Sequence, residues 1–222
     1  MNYLALFLAV VLGYMVGIAF QKKGVKQMPI ILAFSGAFLL SVTLFEMLPE
    51  VFEQPSKQIG LYIMLGILLQ IVLDFFSKGA EHGHIHLHSA NRTFPWLLLI
   101  SLSIHALLEG FPVTDNHSML VGVIVHKIPI AIILTLFFIQ AKYSKIIIFS
   151  FLILFAMMTP LGSVLSTEIA ALKAYETEIN AVAIGVFLHV STTILFESSK
   201  DHKFNLAKVI AIVLGVGLAY LV

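Results

Sequence analysis

Runs of about twenty predominantly apolar residues recur along the whole sequence. A helix of that length spans the ~30 Å hydrocarbon core of a bilayer. Within lipid, each backbone polar group must find its partner inside the protein, so open sheets are excluded and helices are selected. The pattern predicts an all-α membrane protein with eight transmembrane helices, at about 2–20, 29–52, 58–77, 94–113, 118–140, 144–166, 178–197 and 204–222. Composition agrees: 59% of the 222 residues are hydrophobic and 11% charged, against roughly a quarter charged in soluble chains. The expectation is a single polytopic domain over 1–222 in the cell membrane, with the lipid bilayer as partner and no room for a soluble catalytic domain. Nucleic acid is not expected as a partner of a chain with net charge +1, and with no cysteine there is neither a disulfide framework nor a thiolate site.

Charge asymmetry sets the expected orientation. Lys22, Lys23, Lys26, Lys78, Arg92, Lys142, Lys145, Lys200, Lys203 and Lys208 fall in or beside alternate connections. The opposite set holds only Lys57 and Lys173, with Glu50, Glu53, Asp115, Glu168, Glu176 and Glu178. Basic residues stay in the cytoplasm. Both termini are therefore expected outside, the first run is read as a retained span rather than a signal peptide, and the connection at about 78–93 lies inside. That connection carries "EHGHIHLH", where His82, His84, His86 and His88 alternate. Such a tract is either a solvated loop with incidental histidines or a place that captures metal.

Ionisable groups within the apolar runs are costly and usually functional. "SIHALLEG" sets His105 and Glu109 four residues apart, on one face of span 4. Span 5 adds His126, Lys127 and then Pro129, which frees the carbonyl of Val125 from its usual helical bond. Gly110 and Pro112 loosen span 4 just past Glu109, and "TPLGS" (159–163) is read as breaking span 6. Glu46 in span 2 is a further carboxylate, interfacial on register alone. His189 and Glu197 in span 7 are candidates for a pathway, although His189 also suits a bond to a neighbouring helix; Asp74 is read as interfacial. Two histidines with two carboxylates suit Zn²⁺, Fe²⁺, Mn²⁺ or Co²⁺ and would neutralise a dication. Without a metal, the same groups would act only as hydrogen-bonding glue between helices.

Span 2 and span 7 share a motif, "FLLSVTLFE" (38–46) and "FLHVSTTILFE" (187–197), which suggests an inverted repeat of spans 1–3 and 6–8 around spans 4–5. His-x-x-x-Glu-Gly in span 4, His-x-x-Pro in span 5, "EMLPE" closing span 2, "TPLG" in span 6 and "GVFLHV" (185–190) in span 7 occur in order. With these motifs, the chain resembles the ZIP (Zrt/Irt-like) family of divalent-metal transporters over essentially its whole length.

The resemblance implies influx of a divalent metal into the cytoplasm. Zinc is the foremost candidate, with Fe, Mn, Co or Cd as others, carried as cargo rather than as a catalytic cofactor. It implies Glu46, His105, Glu109 and His126 as metal ligands, spans 1, 4, 5 and 6 moving against spans 2, 3, 7 and 8, and homodimers among relatives. The sequence departs from the family pattern at Ala106, Lys127 and Ile130, where binuclear relatives build a second metal site. The expectation is thus one ion, with Lys127 as a fixed charge in place of the second. The competing reading is an intramembrane metal-dependent hydrolase; it lacks HExxH and any evident nucleophile, so an enzyme is not expected.

Overall fold

The computed structural model describes residues 2–21, 27–53, 57–77, 93–114, 116–197 and 206–222. The histidine tract His82, His84, His86 and His88 lies outside them, as does the side chain of Glu197. The described residues are almost wholly helical and contain no strand. The long helices are α1 (Asn2–Phe20), α2 (Met28–Val51), α3 (Lys57–Ser77), α4 (Trp96–Gly110), α5 (His117–Gln140), α6 (Lys145–Glu168), α7 (Glu176–Glu197) and α8 (Leu206–Leu221), with a single turn at Ala170–Lys173.

Six of them are long and apolar enough to cross a membrane; α4 and α8, with 15 and 16 residues, are shorter. At 1.5 Å per residue, α4 reaches only about 22 Å. It stops early because Phe111 bends away after Gly110 and a turn follows at Pro112. The expected helix at 94–113 is thus shortened at both ends. The next helix starts cleanly, since the Asn116 side chain accepts a bond from the Met119 amide at 3.0 Å.

The expected break at "TPLGS" does not occur. α6 runs unbroken through Pro160, as α5 does through Pro129. A proline removes one backbone bond, and neighbouring helices hold the segment straight enough to continue. The irregularity lies instead in α2, where Thr43–Met47 form a π-helical turn and the Leu48 amide bonds to the Thr43 carbonyl five residues back. Pro49 follows at once; its ring crowds the preceding turn, and a widened turn relieves that crowding.

Small residues decide which helices touch. A methyl group at Gly66 of α3 would overlap the Val182 carbonyl of α7, and one at Gly185 of α7 would overlap the Ile63 carbonyl of α3. Gly162 of α6 meets the Leu107 carbonyl of α4 in the same way, and Gly13 and Gly17 of α1 lie on Ala131 and Thr135 of α5. α8 presents a stripe of Ala211, Gly215 and Ala219 to α2. Without a hydrophobic drive between helices in lipid, such close approach supplies the dispersion contacts that hold them together. These contacts define two groups: α1, α4, α5 and α6 in one, and α2, α3, α7 and α8 in the other. They meet mainly where α2 packs on α5 and α3 on α4.

Candidate metal centre

α4 buries Leu98, Leu102, His105, Ala106 and Glu109, the spacing of one helical face. α5 buries Val123, His126, Lys127, Ile130 and Leu134. The two polar pairs meet where α4 and α5 face each other, and all four residues are at most 2% exposed.

Glu109 is the centre of the cluster. Its Oε1 lies 3.1 Å from His105 Nε2 and 3.7 Å from His126 Nε2, and its Oε2 lies 2.6 Å from Lys127 Nζ. The two imidazole rings are 6.3 Å apart and inclined by 73°. Phe155 of α6 closes the pocket, with its ring 4.6 Å from Lys127 Nζ, where the ring face attracts the ammonium. Ala106 and Ile130 line the cluster's helices with apolar surface and add no ligand.

His105, Glu109 and His126 offer one ligand atom each, all within 4.8 Å of one another. Ligands at ~2.0 Å from a tetrahedral Zn²⁺ stand about 3.3 Å from each other. The observed gaps of 3.1 and 3.7 Å are close to that edge length. The arrangement can take a divalent ion with small side-chain shifts. Lys127 cannot join as a ligand while protonated, but it holds the other oxygen of the same carboxylate.

Glu46 is not brought to this cluster. It stands on the π-helical turn of α2, exposed beside Leu44 and Phe45, which are also exposed. A wide turn shifts the register of the side chains around it by about one residue, or roughly 100° of helix rotation. Nothing in "TLFEM" announces that shift.

His189 sits elsewhere too, but not alone. Its Nδ1 is 3.3 Å from Asp74 Oδ2, and Asp74 is half-buried near the end of α3. Asp74 Oδ1 accepts from Gln70 Nε2 at 3.0 Å, and Gln70 Oε1 lies 3.1 Å from His105 Nδ1. A polar chain thus runs from Glu109 through His105, Gln70 and Asp74 to His189. Gln70 is fully buried, and sequence reading passed over it. The signal was present: "QIVLD" places Gln70 and Asp74 four apart on one face of an otherwise apolar helix.

Residues 76–222 match the family model described as ZIP Zinc transporter. The chain is similar to Protein zntD of Dictyostelium discoideum, with 28% identity over 150 residues, 58% of this chain and 22% of that protein. It is similar to Zinc transporter ZIP1 of Danio rerio, with 28% identity over 138 residues, 56% of this chain and 44% of the relative. The same-named protein of Takifugu rubripes is 26% identical over 155 residues, 61% of this chain and 49% of the relative. The aligned stretches amount to between about a fifth and a half of the length of these relatives.

Proposed function

The chain belongs to the ZIP zinc transporter family, and we propose that it carries a divalent transition-metal ion, zinc foremost, across a membrane into the cytoplasm. The observation that carries the reading is the buried group of two imidazoles around one carboxylate, His105, His126 and Glu109, on apolar helices. Lys127 balances the charge of that carboxylate through Oε2, whereas the two imidazole nitrogens converge on Oε1; buried imidazoles around a carboxylate oxygen are a donor set for a dication. The relatives' names give zinc as the first metal to test. They lend no support to the hydrolase reading.

The finer reading has one ion per site, ligated by His105, Glu109 and His126. Glu46 enters only in a state where α2 turns it inward. Lys127 is the charge that remains when the ion has gone. It neutralises Glu109 in the empty site, and it opposes the dication in the loaded one, which favours release. The lysine distribution supports both termini outside. Eight membrane crossings, with an inverted repeat of α1–α3 and α6–α8 around α4–α5, belong to the same proposal. So does a sliding of the α1, α4, α5, α6 group against the other four, a motion suited to two groups that each have tight internal contacts.

The test is metal uptake into liposomes containing the purified chain, alongside calorimetric titration. His105→Ala and Glu109→Ala should each abolish zinc accumulation while the protein stays folded. Near-normal uptake by both variants would sink the ligand assignment. The titration should give one ion per chain, and two ions bridged at Glu109 would refute the mononuclear site.

A further inference from the structure

A neutral imidazole carries one N–H, so it can offer a metal only the nitrogen that lacks the proton. His105 is contested in this respect. Glu109 Oε1 at 3.1 Å would draw the proton to Nε2, and Gln70 Oε1 at 3.1 Å would draw it to Nδ1. Only the second tautomer leaves Nε2 open towards Glu109 and His126, where the ligand atoms converge.

The orientation of the Gln70 amide follows from its other partner. A carboxylate accepts and does not donate. Asp74 Oδ1, 3.0 Å from the Gln70 amide, therefore requires the NH₂ end there. The carbonyl end must then face His105 Nδ1, and the ring must donate to it. Gln70 is fully buried, so water does not compete for its amide. Asp74 is itself held 3.3 Å from His189. The order of preference is thus transmitted from Asp74 through one amide to one ring nitrogen.

We infer that Gln70 is a positioning residue of the metal centre: held by Asp74, it fixes the ring plane and tautomer of His105 so that Nε2 is presented to the ion. The inference rests on the metal-site reading above. It adds a residue outside the α4–α5 pair, on a helix of the opposite group. Outer partners of metal-bound histidines commonly influence affinity to this degree: their loss costs about 10–100-fold.

The experiment is zinc titration of the purified full chain in detergent, with His105→Ala as reference. Gln70→Leu removes the acceptor at nearly constant volume and should weaken zinc binding about 10–100-fold. Gln70→Met replaces it if the branched side chain does not fold. The double variant Gln70→Glu/Asp74→Asn reverses the donor and acceptor between the two residues but keeps an oxygen facing His105. It should bind zinc within about threefold of the unaltered chain, which separates loss of the acceptor from general damage at this position, while a merely space-filling role would leave Gln70→Leu unaffected as well. Unchanged affinity in Gln70→Leu, or equal losses in the single and the double variant, would overturn the inference while the metal site stood. Unchanged affinity in His105→Ala would instead remove the metal-site reading itself, and the inference with it.

Discussion

At Glu109 three positively inclined groups share two carboxylate oxygens. His105 and His126 approach Oε1, and Lys127 holds Oε2 at 2.6 Å. Removing one partner of a buried pair typically costs about 3–5 kcal/mol, because the other charge is stranded. In a carrier that penalty falls on the empty state, since a bound dication compensates Glu109 when Lys127 is gone. Lys127→Met should therefore bind zinc more tightly, having lost a repelling ammonium, yet accumulate it more slowly. Exchange of zinc across the liposome membrane with zinc on both sides does not require the empty site to return. Exchange in Lys127→Met bears only the tighter hold on the ion, while net uptake also bears the stranded charge of the empty site, so net uptake should fall several-fold further than exchange. Equal falls in both fluxes would remove the counter-charge role from Lys127.

At the level of helices, fit between backbones dominates. The α3–α7 contact is made by glycines from both sides, each lying on a carbonyl of the other helix. Forcing a methyl group into a packed contact costs about 1–3 kcal/mol, and more where backbone rather than a flexible side chain must yield. Gly185→Ala should lower the stability of the detergent-solubilised protein by at least that amount. Gly217→Ala is the contrast: nothing stands within 4 Å of an added methyl on that exposed face of α8. Its stability should be unchanged or raised by up to about 1 kcal/mol, because alanine lowers the backbone entropy lost on folding. Thermal unfolding followed by circular dichroism separates the two, and equal behaviour would contradict the packing described. The π-helical turn in α2 acts at the same scale: one widened turn ahead of Pro49 carries Glu46 to the outside.

For the whole molecule, the tight contacts divide unevenly between and within the two helix groups. Within each group a glycine meets backbone of the neighbouring helix. Between them, a Cβ at Gly122 of α5 would stand 3.6 Å from Leu39 Cδ1 and 3.9 Å from Val42 Cβ of α2, ordinary van der Waals separation. That interface is smoother and better suited to sliding. It also offers a direct test, because disulfides form at Cβ separations of about 3.5–4.5 Å and the chain has no cysteine of its own. Val42→Cys/Gly122→Cys should transport when reduced and stop when oxidised, with activity restored by reductant. Full uptake by the cross-linked protein would exclude relative motion of α2 and α5 as part of the cycle.

The sequence by itself determined what depends on composition and near-neighbour spacing. Lipid admits only helices and closed barrels, and continuous apolar runs of about twenty residues, rather than short alternating ones, select helices. The four-residue step from His105 to Glu109 guarantees a shared face wherever α4 packs, and adjacency in "VHKIP" ties His126 to Lys127. Even the resemblance rested on such short motifs. The tertiary structure decided everything that joins residues far apart in the chain. Gln70 reaches His105 across 35 positions, and Asp74 pairs with His189 from a helix much further on; neither partnership has a local signature. Lys127 could have turned to any acid, and only the meeting of α4 with α5 sets it on Glu109. Glu46 had the right chemistry, but a widened turn changed its direction. Local spacing fixes which side chains share a face of one helix. Which faces meet depends on where glycines allow two backbones to approach and on how each helix is rotated, and both are properties of the assembled bundle.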